Sequence, residues 1–153
     1  MSKIIPVSLL ALVLLTPVFA AGNVTTPQPV LDWYGDVISV MSTLVKDLDN
    51  AKDAKTAVRA FTVASATIQN KQIAARRDQL ESEFTEFFAA AAKDSAWVAP
   101  AEWVKMLQDF NSLLQKYTNT IAANTKVLSD SMVVKAMEEF GTSFQSIDSA
   151  FGR

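Results

Sequence analysis

Apolar residues recur every three or four positions along most of the chain after Pro29. This spacing places them on one face of an α-helix, which makes 3.6 residues per turn. No proline occurs between Pro29 and Pro100, and the whole chain has only 4 glycines, so long helices are favoured over strands joined by tight turns. The pattern predicts about four amphipathic helices, at approximately 30–48, 53–93, 100–127 and 131–151.

Each predicted helix carries one apolar stripe and cannot be stable alone in water, because most helical stability in proteins comes from burying such a stripe. A small antiparallel helical bundle is the simplest way to bury all of them. The sequence therefore predicts an all-α fold with a single domain, residues 30–153. In such a bundle Phe61, Phe110, Leu114 and Phe140 would share a common interior.

The longest predicted helix, 53–93, has a stripe that changes phase midway. One face contains Ala57, Phe61, Ala64, Ile68 and Ala75; the other contains Ile73, Leu80, Phe84, Phe87 and Ala91. The five residues from Ile68 to Ile73 correspond to a rotation of about 140°. Either the helix breaks near 70–78, or its two halves pack against different partners. Because neither Gly nor Pro marks a break, we expect one continuous helix.

Residues 1–20 differ in pattern from the rest of the chain. Lys3 precedes an almost unbroken apolar run that ends at Leu15, and small residues follow. This is the layout of a secretory signal peptide, and the run is shorter than the ~20 residues that span a bilayer. We predict cleavage after Ala20, followed by a flexible, Pro-containing arm at 21–29; an uncleaved membrane anchor is the alternative.

The absence of cysteine and the net charge limit which compartment and which partners are expected. The chain has 0 cysteines, so neither a disulfide nor lipid attachment of the lipoprotein type is available to the exported chain. This favours the periplasm of a bacterium, with secretion as the alternative. The net charge is −2 and no run of like charge occurs, whereas a nucleic-acid-binding protein usually presents a basic face. We expect no nucleic-acid partner and no stable membrane insertion after cleavage.

The residue types exclude several chemistries. With 0 histidines and 0 cysteines, the chain cannot perform Ser–His or Cys–His catalysis or form the usual zinc sites. Asp47, Asp49 and Asp53 could be imagined around a hard cation, but the Gly and the distant Glu of an EF-hand loop are missing. Helix capping already accounts for Asp49 or Asp53. We predict that the protein is not an enzyme and uses no metal or cofactor.

Aromatic rings crowd the stretch between the second and third predicted helices. They are Phe84, Phe87, Phe88, Trp97 and Trp103. If the two helices form an antiparallel hairpin, the rings meet at its closed end, and their burial explains them without a ligand. A groove for a peptide or unfolded client and a membrane contact are the alternatives. A helix lying on a membrane would add Lys and Arg, whereas Glu81, Glu83 and Glu86 occur here.

The predicted function is that of a non-catalytic structural or protein-interaction module of the cell envelope, which binds a copy of itself or another envelope protein. A client-binding chaperone or stress protein is one alternative, and it would need an apolar groove larger than a few hundred Å². A carrier of a small apolar ligand is another. The candidate interaction surface consists of Phe84, Phe88, Trp97, Trp103 and Phe151.

Overall fold

Helices account for nearly all of residues 25–93 and 99–148, the part of the chain that the computed structural model describes, and no strand occurs there. The all-α prediction is confirmed, but the expected count of four helices is wrong. Seven helices occur in the described ranges: α1 (Gln28–Asp49), α2 (Ala54–Asn70), α3 (Ile73–Glu83), α4 (Thr85–Lys93), α5 (Ala101–Ala123), α6 (Thr125–Leu128) and α7 (Ser131–Asp148). The predicted signal peptide, 1–20, lies outside these ranges. Of the predicted arm, Gln28 and Pro29 belong to α1.

The four long helices, α1, α2, α5 and α7, form what we call the body. α1 packs against α2 and α5, and α2 also packs against α7. The rings of Tyr34 and Trp103 lie 5.1 Å apart near the beginnings of α1 and α5. Near their ends, the Thr120 hydroxyl donates to the Asp49 carboxylate at 2.6 Å. α1 and α5 are therefore parallel neighbours, although successive long helices along the chain run in opposite directions.

The order of helices around the body is α1, α2, α7, α5, so the chain must cross one end of the bundle diagonally to pass from α2 to α5. α3 and α4 make this crossing, and we call the two helices together the cover. α3 packs against α1, α2 and α7, which places the cover over the end where α1 and α5 begin. A regular up-and-down bundle with neighbouring successive helices would need no such crossing.

The expected continuous helix at 53–93 is wrong, because the chain breaks at Gln72. α2 ends at Asn70, and Gln72 adopts the left-handed conformation, with φ 50° and ψ 39°. This conformation costs a residue other than glycine about 1–3 kcal/mol and persists only where its surroundings impose it. The break resets the helical phase, so Ala75, which we expected on the stripe of Phe61, is exposed.

Side chains of α1 hold the chain at this break. The Trp33 indole N–H donates to the Ile73 carbonyl at 2.8 Å in the interior. On the outside, one Asp36 carboxylate accepts from Lys71 and Arg76, each at 2.6 Å. These three interactions lie on both sides of Gln72, and they offset the cost of its strained backbone.

Carboxylates cap two of the helices as the sequence indicates. Asp53 is the N-cap of α2, where its side chain accepts from the Thr56 backbone N–H at 2.8 Å in a capping box. Asp130 precedes α7 and accepts from the Met132 backbone N–H at 2.9 Å. Satisfying the free N–H groups at a helix start in this way contributes about 1 kcal/mol per cap.

The apolar stripes of the body meet in one interior, as predicted. Phe61, Phe110, Leu114 and Phe140 are all buried. The three phenylalanine rings are linked, with Phe144 between Phe140 and Phe110. The centroids of Phe61 and Phe140 are 5.9 Å apart, those of Phe140 and Phe144 5.6 Å, and those of Phe110 and Phe144 6.3 Å. These contacts join α2, α5 and α7 at the centre of the body.

Candidate functional site

A continuous series of aromatic rings connects the body to the cover. The ring centroids of Trp33 and Tyr34 are 4.9 Å apart, those of Tyr34 and Trp103 5.1 Å, those of Trp103 and Phe87 5.0 Å, and those of Phe87 and Phe88 5.5 Å. All four pairs are edge-to-face, with planes at 84–86°. This geometry contributes about 0.5–1.5 kcal/mol per pair beyond burial. We call these five residues the aromatic cluster.

The residues predicted for an interaction surface are distributed unevenly. Phe88 and Trp103 both belong to the aromatic cluster, but Trp103 is 5% exposed, whereas Phe88 is half-buried. Phe84 is also half-buried and packs against the core. Trp97 and Phe151 lie outside the described residues. Among the predicted residues that the structure describes, Phe84 and Phe88 are therefore the two that present part of a ring to solvent.

The interpretation that the rings belong to the core is confirmed for Phe87 and Trp103, which are buried, whereas Phe84 and Phe88 are partly buried against it. Phe87, on α4, and Trp103, on α5, meet as predicted. The expected antiparallel hairpin is wrong, because α2 and α5 lie diagonally opposite and α3 and α4 cross between them. Trp33, at the far end of the series, is a member that the sequence analysis missed. A signal was present, because Trp33 follows Val30 by three residues and precedes Val37 by four, on the buried stripe of α1.

An ion pair lies against the aromatic cluster. The Arg77 guanidinium donates to one Glu81 carboxylate oxygen, at 2.9 Å from Nη2 and 3.2 Å from Nε, and the Arg77 side chain is only 12% exposed. Burial raises the pKa of Tyr34 well above its ordinary value; the nearby charge of Arg77 lowers it and that of Glu81 raises it. The Tyr34 hydroxyl is therefore neutral at physiological pH, and Glu81 is not simply part of a solvated face.

The Asp36 carboxylate has the opposite shift. Hydrogen bonds from Lys71 and then from Arg76 lower its pKa below the ordinary 3.8. Asp36 is therefore ionised at neutral pH, and one carboxylate of the body holds two cations on either side of the break before the cover.

The outward side of the cover is acidic. Asp78, Glu83 and Glu86 are exposed, and none of them forms an ion pair with a residue in the described part of the chain. Its two arginines are already engaged, Arg76 with Asp36 and Arg77 with Glu81. Three carboxylates without an ion pair in the described part thus accompany the half-buried rings of Phe88, on α4, and Phe84, in the turn between α3 and α4.

The structure offers little for metal or small-molecule chemistry in its described part. No three acidic side chains there are grouped as metal ligands would be. Of the aspartates considered for a cation, Asp49 accepts from Thr120 and Asp53 caps α2. A groove between α1 and α2 that includes Val63 holds about 60 Å³, far less than the roughly 300–1,000 Å³ of small-molecule sites. Among the described helices, none has the length and apolar character of a membrane span.

Comparison with known proteins gives no relative from which a role could be transferred. The chain matches no protein-family model, no curated protein and no solved structure. Its functional interpretation depends on the residues themselves.

Proposed function

We propose that this protein is an exported, non-catalytic helical module of the bacterial cell envelope, and that it binds another envelope protein through the outward side of the cover. The observation that supports this function is the combination, on α3, α4 and the turn between them, of two half-buried phenylalanines with three exposed carboxylates that form no ion pair in the described part of the chain. A matching partner segment carries an apolar or aromatic side chain flanked by Lys or Arg. Export is inferred from the pattern of residues 1–20.

Electrostatic and apolar contributions have separate tasks in such an interface. The apolar contact of Phe84 and Phe88 with a partner supplies affinity through burial of their remaining surface. The carboxylates of Asp78, Glu83 and Glu86 favour basic partners and accelerate association, in a way that salt weakens. The body positions this surface through buried contacts with the cover, Trp103 with Phe87 and the Trp33 indole with the Ile73 carbonyl.

A client-binding chaperone has less support. Holding unfolded clients requires a contiguous exposed apolar patch. Over the described ranges, the large apolar side chains that are clearly exposed are Val63, at 44%, and Met132, at 62%, and they lie on different helices. A carrier of an apolar ligand has less support still, because aromatic rings in mutual contact occupy the centre of the body.

Site-specific photo-crosslinking in the native host tests the proposed surface. A photoreactive phenylalanine analogue replaces Phe88 in one tagged version and Met132, an exposed residue of the body, in another. We expect a defined protein adduct from position 88 and none from position 132. Equal adducts from both positions, or adducts only from position 132, would contradict the proposal.

The purified adduct partner then tests the charge contribution. Glu83→Lys together with Glu86→Lys should weaken its binding at low salt, and the loss should shrink as salt is added. Charge reversal on the body, Glu138→Lys with Glu139→Lys, is the matched control and should leave binding unchanged. Stoichiometric suppression of the aggregation of a denatured test protein would instead favour the chaperone.

The mass of the protein in envelope fractions tests export. Cleavage after Ala20 leaves a chain that begins at Ala21, and an intact mass measurement distinguishes it from the full chain. Full-length protein confined to the cytoplasm would contradict this part of the proposal.

A further inference from the structure

The cover is attached to the body by few buried side chains. α3 buries two of its 11 residues, Ile73 and Leu80. In the described part of α4 the buried side chain is Phe87. By comparison, α1 buries nine of its 22 residues. Segments with little buried apolar surface open at a lower free energy than the whole fold.

The polar attachments of the cover are mostly near the surface. The ion pair that joins the cover to the body is that of Arg76 on α3 with Asp36 on α1, whose side chains are 36% and 26% exposed. Lys71, the other partner of Asp36, lies before Gln72 at the end of α2. Ion pairs with this exposure contribute little, because water and salt screen them. In the described part of the chain, a buried polar attachment is the hydrogen bond from the Trp33 indole N–H to the Ile73 carbonyl.

Gln72 separates the hydrogen-bond ladders of α2 and α3. Near the end of α2, the Lys71 N–H donates to the Thr67 carbonyl and the Gln72 N–H to the Gln69 carbonyl, each at 3.0 Å. The ladder of α3 begins afresh when the Arg76 N–H donates to the Gln72 carbonyl at 2.9 Å. Rotation about the left-handed Gln72 can therefore move α3 without breaking hydrogen bonds inside either helix.

Detachment of the cover would uncover a strongly apolar end of the body. Phe87 contacts the Trp103 ring and would leave with the cover. The ion pair of Arg77 and Glu81 acts electrostatically on Tyr34 and would leave as well. Tyr34 and Trp103, which are almost completely buried in the closed structure, would then gain contact with solvent.

We propose that the cover is a lid: α3 and α4 detach together by pivoting at Gln72, while α1, α2, α5 and α7 stay folded, and this opening exposes Tyr34 and Trp103. The lid is a property of the isolated chain. It does not depend on the partner proposed above, and its test requires no partner.

Hydrogen exchange of the purified protein, resolved by peptide, tests the lid. Amides of α3 and α4 should exchange together, at least about tenfold faster than those of α2 and α7, because sub-global opening exposes only the cover. Asp36→Asn should accelerate exchange in the cover about fivefold, and exchange in α2 and α7 by no more than its cost in global stability. Asp109→Asn, which removes the exposed ion pair with Lys105 in α5, is the matched control. Equal exchange in α2, α3 and α4, or no acceleration of the cover by Asp36→Asn, would overturn the proposal.

Thiol labelling gives an independent measurement, because the natural chain has 0 cysteines. Leu80→Cys places a thiol beneath the lid, and Ala64→Cys places one in the core-facing side of α2; both sites are buried. With folding verified by circular dichroism, we expect the thiol at position 80 to react at least about tenfold faster than that at position 64. Equal rates at the two positions would show that the cover opens only by global unfolding, and the lid would be rejected.

Discussion

In the body, four long helices bury aromatic and aliphatic stripes against one another, and the Phe61 and Phe140 rings are 5.9 Å apart at the centre. In the cover, two short helices bury few side chains, and a partly exposed ion pair of Arg76 with Asp36 helps to hold them in place. Both regions are helical. Burial of apolar side chains stabilises the body, whereas the cover depends on its attachment to the body. Helical content alone therefore says little about how strongly a segment of this protein is held.

The comparison also separates two meanings of an aromatic-rich sequence. Phe61, Phe110 and Phe140, on α2, α5 and α7, are buried in the body, and Phe144 of α7 is partly buried against them. The phenylalanines of α4 are divided: Phe87 points into the aromatic cluster, and Phe88 is half-buried. Phenylalanine therefore packs the core of the body, whereas in the cover it also contributes to the solvent-exposed surface.

The largest expected effect comes from truncating the centre of the body. Phe61→Ala should lower the free energy of unfolding by about 3–5 kcal/mol, because Phe61 is fully buried and its removal leaves a cavity. Phe88→Ala, on the cover, is the control and should cost less than half as much. Urea denaturation followed by circular dichroism measures both. Equal costs would break the distinction between body and cover.

A smaller loss of stability is expected from removing the hydrogen bond between Trp33 of the body and Ile73 of the cover. Trp33→Phe keeps an aromatic ring but removes the indole donor to the buried Ile73 carbonyl, and should lower the free energy of unfolding by about 1–2 kcal/mol. Trp103→Phe is the matched control, because it removes the same atoms from a second buried tryptophan. Urea denaturation should give the greater loss for Trp33→Phe; a greater loss for Trp103→Phe would mean that ring packing, not the hydrogen bond, matters at this junction.

The strained pivot provides a test with opposite signs. Gln72→Gly should raise the free energy of unfolding by up to about 1 kcal/mol, and Gln72→Val should lower it by about 1 kcal/mol, because only glycine adopts a positive φ without steric cost. In the regular helix α5, Gln115→Gly should instead destabilise by about 1 kcal/mol. Thermal unfolding of the three variants measures the signs. A loss from Gln72→Gly similar to that from Gln115→Gly would argue against strain at the break.

The smallest effect concerns the ion pairs of Asp36. Because hydrogen bonds from Lys71 and Arg76 lower the pKa of Asp36 in the folded chain below 3.8, its contribution is present above that value and lost as the pH falls through the lowered pKa. Asp36→Asn should cost less than about 1 kcal/mol near neutral pH. The difference between the two proteins in urea denaturation should vanish in acid.

The two proteins differ in this one carboxylate, so the difference in their stability reports on Asp36. A difference that stays constant from neutral pH into acid would show that the side chain acts through shape and not through charge.

Much of the body was predictable because its stripes are regular. The predicted apolar face of α1 is buried throughout, from Val30 to Leu48, and the cap at Asp53 follows from the chemistry of its carboxylate. The order of helices around the body was not predictable. Parallel packing of α1 against α5 depends on contacts between residues far apart in the chain, such as Asp49 with Thr120, and periodicity carries no information about such pairs.

The break before the cover shows where local signals fail. The phase change between Ile68 and Ile73 located it correctly, but the absence of Gly and Pro led to the wrong expectation of a continuous helix. Gln72 has no intrinsic preference for its left-handed conformation. Its conformation is imposed by Trp33 and Asp36 of another helix, so a local pattern could only suggest it.

The candidate site was predictable in part for the same reason. The crowding of rings between Phe84 and Trp103 indicated the right region, and Phe87 meets Trp103 as expected. The contribution of α1 through Trp33 and Tyr34, and the nearly buried Arg77 beside them, arise from the diagonal crossing. No spacing within 53–93 encodes that crossing.

The diagonal crossing also decides where a reporter can be attached. The first turn of α1 and the beginning of α5 lie at the covered end of the bundle, while the short link from Ala51 to Asp53 lies at the opposite end, beside the last turn of α5. A fluorophore or affinity handle inserted into that link would lie about 30 Å from the covered end, the length of a 20-residue helix. It would report on the molecule without disturbing the break at Gln72 or the outward side of the cover.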